Sequence, residues 1–158
     1  MLAVVDGLGH GPDAAAAAER ALLAIEENAA EPLQPLVLLC HQALADTRGV
    51  AMAIAAVYGD GATEWLSIGN VEAAIVRPHR VDTVYHFAGV VGHQLPRLRV
   101  PTTQLHPGEL LVMATDGITT AFLDDVDTAH PPSRIADSTV ASYARPVDDA
   151  LVLVAALG

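Results

Sequence analysis

Four aspartates at the ends of apolar runs carry the chemistry this sequence can offer. Asp6 follows Leu2-Ala3-Val4-Val5 and opens the turn Gly7-Leu8-Gly9-His10-Gly11. Asp116 follows Leu110 to Thr115 and is itself followed by Gly117. Asp148 and Asp149 stand directly before Ala150-Leu151-Val152-Leu153-Val154. Each alone reads as an ordinary turn aspartate accepting backbone N–H bonds. Together they say more. Carboxylates at the ends of neighbouring buried strands repel one another unless cations lie between them. Ligation by oxygen alone, without His or Cys, selects magnesium or manganese over zinc.

The glycine-rich turn after Asp6 admits two other readings. Gly7, Gly9 and Gly11 let the backbone take positive φ or approach a ligand closely, which also suits a plain strand-to-helix turn. A dinucleotide fingerprint needs G-x-G-x-x-G, and counting from Gly7 and Gly9 the third glycine falls on Pro12. A pyrophosphate on the helix N-terminus would also meet the charge of Asp6. The metal reading is therefore preferred to the nucleotide reading.

The elements that position these aspartates follow from hydrophobic pattern. Pro12 to Asn28, alanine-rich with Leu22, Leu23 and Ile25, predicts a helix, and Leu36 to Ala45 predicts a second, largely buried one. From Gly49 the pattern changes to strand. Val50 to Tyr58 and Glu64 to Ile68 flank Gly59-Asp60-Gly61, a hairpin signal. Further strands are predicted at Ala73–Val76 and Thr83–Phe87, with an extended segment from Val100 to Gln104 and a strand at Leu110–Thr115. A helix-compatible run at Ile118–Leu123, a loop from Asp124 to Pro132, a helix at Arg134–Tyr143 and a closing strand from Ala150 complete the chain. Two helices, then a succession of short antiparallel strands, predict an α+β protein rather than βαβ alternation.

Composition bounds the function. The 158 residues are expected to form one domain spanning 1–158. The formal net charge of −11, with eight arginines and no lysine, repels nucleic acid and anionic membrane surfaces but can concentrate divalent cations. Cys40, alone among Leu38, Leu39 and His41, reads as a core residue on a helix. His41 likewise reads as a satisfied core histidine. The seven histidines show neither H-E-x-x-H nor Cys/His spacing. The N-terminus lacks the pattern of a signal peptide, and no apolar run reaches the ~20 residues of a membrane span. A cytoplasmic protein is expected.

In order, Val5-Asp6-Gly7-Leu8-Gly9-His10-Gly11, the segment from Thr47-Arg48-Gly49-Val50 through Ile68-Gly69-Asn70-Val71-Glu72, Ala114-Thr115-Asp116-Gly117-Ile118, and Asp148-Asp149-Ala150 resemble a metal-dependent protein phosphatase of the type 2C superfamily. The likeness is to the bacterial SpoIIE and RsbX branch, whose members act on phosphoserine or phosphothreonine in regulators of sigma-factor and stress signalling. The resemblance implies a β-sandwich of mostly antiparallel sheets flanked by helices, with two Mn2+ or Mg2+ ions at one edge. It implies that Asp6 bridges both ions, that the Gly7 carbonyl binds one, and that Asp116 and Asp148 complete the other, with Asp149 in a supporting place. Such a pair of cations acidifies a bridging water and offsets charge on the phosphoryl oxygens. No side-chain nucleophile is needed, and the sequence has no G-x-S-x-G.

The family pattern places strands before the first Asp-Gly, whereas five residues precede Asp6 here. The resemblance therefore implies an upstream start, a fragment, or a sandwich lacking N-terminal strands. Asn70 stands where many relatives have an aspartate, which argues against a third metal. His10, two residues on from the position where eukaryotic relatives carry histidine, is a candidate general acid. Arg48 is the candidate for substrate phosphate. Two functions follow: a phosphatase acting on a phosphorylated signalling protein of the STAS type, or a non-catalytic relative that binds a regulatory partner.

Overall fold

The structure is a computed structural model and describes residues 1–157. Its order is β1 (Leu2–Gly7), α1 (Pro12–Glu27), α2 (Leu33–Ala43), β2 (Val50–Val57), β3 (Ala62–Ile68), β4 (Glu72–Arg77), β5 (Arg80–Thr83), β6 (His86–Phe87), β7 (Thr102–Gln104) and β8 (Leu110–Ala114). A short 3-10 helix (Thr120–Asp124), α3 (Pro132–Tyr143) and β9 (Val152–Ala156) follow. The strands form two sheets. One runs β1-β2-β3-β6, with β7 also on β3, and the other runs β5-β4-β8-β9. Every pair is antiparallel except the short β3-β6 pair.

Side-chain size along β2 explains how the layers stack. Val50, Met52 and Ile54 pack with Ala17, Ala21, Leu36, Val37 and Cys40 of the two helices. Their neighbours Ala51, Ala53 and Ala55 face the other way and pack with Ile75, Leu111 and Met113 of the second sheet. A strand covered on both sides reads as an unbroken apolar run, and here large residues meet the helices while alanines meet the sheet. On the far side, Val76, Leu110, Val112 and Ala114 pack with Ile118, Phe122 and Ile135. The result is a two-sheet sandwich with α1 and α2 outside one sheet and α3 outside the other.

The helices form for legible reasons. Pro12 pre-sets the first turn of α1, and buried Ala14, Ala17, Ala21, Ala24 and Ile25 recur at helical spacing along one face. In α2, Leu33, Leu36, Val37 and Cys40 do the same. Cys40 is buried in the core as expected, whereas His41 is hydrogen-bonded but only part-buried rather than a core residue. Burial pushes the Cys40 thiol up to about 11, and His41 accepts the Gly92 N–H at Nδ1 (2.9 Å).

Three elements differ from the sequence reading. The run Thr83–Phe87 is not one strand. Arg80–Thr83 pairs with β4, and the chain then crosses to the other sheet, where His86–Phe87 joins β3. Val84 turns inward at the crossing while Tyr85 is 73% exposed. The run after Gly117 closes as a 3-10 turn rather than an α-helix. The last strand begins at Val152, later than predicted, because the Leu151 N–H donates to the Thr115 hydroxyl (3.0 Å) before the ladder starts.

Candidate metal centre

Asp6 sits one residue from the end of β1, opposite Ala51 of β2. Asp116 lies two residues beyond β8, and Asp148 and Asp149 lie in the loop before β9. The first belongs to one sheet and the others to the second sheet, so the layers must stack in register for them to meet. They do meet. Asp6, Asp116, Asp148 and Asp149 line one open cavity of about 440 Å³, together with Gly7, His10 and Asn70 among others.

Two glycines make this convergence possible. A Cβ at Gly7 would stand 2.0 Å from the Ala14 carbonyl oxygen, so the first turn of α1 closes against the end of β1 only because Gly7 has no side chain. A Cβ at Gly117 would stand 2.1 Å from the Asp149 carbonyl oxygen. The Arg145 N–H donates to the Gly117 carbonyl at 2.7 Å, and the Thr115 hydroxyl donates to the Asp149 carbonyl at 3.5 Å. In each Asp-Gly pair the aspartate supplies the charge and the glycine admits the neighbouring segment.

The electrostatics are those of crowded like charges. Burial first, then the carboxylates of Asp116, Asp148 and Asp149, push the Asp6 carboxyl above its ordinary value. Asn70 Nδ2 donates to Asp116 Oδ2 at 2.5 Å, and Asp148 Oδ1 accepts the Asp149 N–H at 3.1 Å. Among the described residues no group of three or more His, Cys, Asp or Glu side chains stands close enough together to hold one metal ion. The donor chemistry still fits a hard divalent cation. It is all oxygen, it is anionic, and its most buried member is held against three like charges that a cation would neutralise.

Of the other residues singled out in the sequence, His10 lines the cavity from the exposed turn between Gly9 and Gly11, both at positive φ. Arg48 does not line it. Its guanidinium pairs with Asp13 at 3.1 Å and lies against Gly9. Asp149 lines the cavity beside Asp148, and because both precede the strand, strand alternation does not choose between them. Asn70 emerges as the partner of Asp116, a role the sequence reading did not give it. The ladder explains it: Glu72 pairs with Ala114, so two residues outward on each strand Asn70 meets Asp116.

Comparison with known proteins agrees with this architecture. The sequence profile of Stage II sporulation protein E (SpoIIE) matches residues 1–157. No curated protein sequence matches the chain. Among solved structures, a chain from work on the bacterial stressosome, described as a modular system adapted to control secondary messenger signalling, is 30% identical. The match covers 97% of this chain and 82% of that one, with a TM-score of 0.87. RsbX in complex with magnesium is 22% identical over 96% of this chain and 77% of its own, with a TM-score of 0.81. The serine/threonine phosphatase PstP of Mycobacterium tuberculosis is 14% identical over 99% and 87%, with a TM-score of 0.77. The profile match runs through every strand and helix described above, and this protein is therefore a member of the SpoIIE family, built on the fold of the type 2C phosphatases.

Proposed function

We propose that this chain is a manganese- or magnesium-dependent phosphoserine/phosphothreonine protein phosphatase acting in the cytoplasm on a phosphorylated bacterial stress or sigma-factor regulator of the STAS type. The observation that carries the reading is the meeting of Asp6, Asp116, Asp148 and Asp149 in one cavity with the Asp6 carboxyl raised by burial and by the other three. Asp6, Asp116, Asp148 and the Gly7 carbonyl are the groups that would hold two ions. When bound, such ions supply an acidified water and offset the negative charge of the phosphoryl group.

The chain's own residues do the remaining work. The positive-φ turn at Gly9 and Gly11 puts His10 among the residues that line the cavity, and in this reading its imidazole gives a proton to the departing serine or threonine oxygen. Asn70 holds one Asp116 oxygen and leaves the other free. Arg48, with its Asp13 partner on α1, stands outside the cavity and suits contact with a substrate's flanking groups better than with the reacting phosphate. The links to the magnesium complex of RsbX and to the stressosome chain support the metal and the signalling context in this reading.

A second reading has one observation in its favour. The short Asn70–Asp116 bond engages a carboxylate that the first reading needs as a ligand, which suits a non-catalytic module that binds a partner. Hydrolysis of para-nitrophenyl phosphate decides between them. Turnover that needs manganese and stops with chelator supports the phosphatase. Partner binding with no turnover at any metal concentration supports the module, and activity that survives prolonged chelation or is restored by zinc alone overturns the two-ion site.

A further inference from the structure

Along the outer edge of β3 runs a stretch of chain that contributes no carboxylate of its own. Between Asp82 and Glu109 the chain has no carboxylate, although it holds 19 in all, and this run carries Arg97, Arg99 and three histidines. Arg20, Arg48, Arg77 and Arg80 are each paired with a carboxylate, whereas among the described residues Arg97, Arg99, Arg134 and Arg145 form no ion pair; of these four, Arg97 and Arg99 lie within this carboxylate-free run. Both are exposed, with Leu98 turned inward between them. Arg99 and Pro101 border an open apolar groove of about 500 Å³ with Tyr85 and Phe87, whose rings meet edge to face at 5.2 Å.

The groove has a direction. Pro101 accepts the Trp65 N–H (3.3 Å) at the middle of β3, and Phe87 pairs with Ile68 at its end and accepts the Gly69 N–H (2.9 Å). The next residue is Asn70, on the wall of the acidic cavity. With a strand rise of about 3.3 Å per residue, the groove extends roughly 7 to 16 Å from Asn70. An aromatic anchor site bordered by the unpaired guanidinium of Arg99, with exposed Arg97 two residues away in the chain, suits an extended acidic segment with an apolar residue.

We propose that this groove docks an acidic, apolar-anchored segment of the phosphoprotein substrate, about two to five residues from the phosphorylated side chain, and so selects the substrate. This rests on the phosphatase reading. An overall charge of −11 repels acidic partners at long range, so a local arginine pair is where such a partner gains its contacts and its orientation.

The test uses two fluorescent phosphoserine peptides that differ only in carrying Glu-Leu-Glu or Lys-Leu-Lys about four residues from the phosphoserine. Binding is read by anisotropy in chelator, so it does not depend on turnover, and hydrolysis is read separately with manganese. The expected result is at least tenfold tighter binding of the acidic peptide, weakened by salt, and loss of that preference in Arg97→Glu/Arg99→Glu. In the same variant para-nitrophenyl phosphate turnover stays unchanged, and kcat/KM on the acidic peptide falls through KM. Tyr85→Ser, also at an exposed position, is expected to weaken both peptides alike. If no substrate is hydrolysed but the charge preference persists, the phosphatase reading fails and the docking surface stands. Equal binding of the two peptides, or a preference untouched by the arginine reversal, overturns the proposal. So does a dimer in sedimentation velocity that the reversal dissolves, since the groove would then be an interface between copies of this chain.

Discussion

At the scale of single residues, the raised Asp6 carboxyl gives a prediction about stability and activity together. Burial and three neighbouring carboxylates work against its charged form, so Asp6→Asn removes a repulsion from the metal-free protein. Its melting temperature in chelator is expected to rise, while manganese-dependent turnover falls by orders of magnitude. A variant that melts lower than the parent in chelator would contradict the crowding argument. The pair in the last loop gives a second prediction. Asp148→Asn is expected to reduce turnover and manganese affinity far more than Asp149→Asn, because the Asp149 backbone already anchors the loop through Thr115 while Asp148 is the proposed ligand. Kinetics and metal titration of both variants check it, and the reverse order would move the ligand by one residue.

At the scale of elements, the two Asp-Gly pairs show what was legible in the sequence. Strand, aspartate and glycine at 2–7 and at 110–117 were readable from apolar runs and glycine placement, because local sequence determines both. That Gly117 exists to admit Asp149, and that Asn70 meets Asp116, depended on which strands pair, which no local pattern states. The break within Thr83–Phe87 was hidden for the same reason: five strand-forming residues look alike whether they continue in one sheet or cross between two. Gly117→Ala is therefore expected to push the Asp148–Asp149 loop outward by the overlap at its carbonyl, lowering manganese affinity at least tenfold with a smaller effect on α3 and the sheets. Isothermal titration and amide exchange would show it. The crossing also carries a pH-dependent tie. His86 Nε2 lies 3.1 Å from Glu72 Oε1, joining β6 of one sheet to β4 of the other, and chiefly this hydrogen bond raises the imidazole above its ordinary value. A raised histidine stabilises the fold fully below its unfolded value near 6.5 and loses that contribution as pH rises through the folded value. The parent is expected to lose more melting temperature than His86→Gln between pH 6 and pH 8.5, and parallel curves would refute the tie.

At the scale of the whole molecule, the acidic cavity joins the layers. Its carboxylates come from both sheets, so an ion that binds the native state alone stabilises the entire sandwich by mass action, about 2.7 kcal/mol at a hundred times its dissociation constant. Manganese is expected to raise the melting temperature of the parent by about 5 to 10 °C under those conditions, and to leave Asp6→Asn nearly unmoved. The alanine face of β2 then takes on a further meaning. Ala51, Ala53 and Ala55 are the spacers between the sheets, and Ala51 continues into the cavity wall. Their methyl groups act as shims that set a gauge. The gap between Asp6 on one plate and Asp116 on the other is machined by the thickness of the filling rather than by the aspartates themselves. Widening that gap with Ala53→Val, at a buried position that does not itself line the cavity, would detune the site as a thicker gasket detunes a hinge.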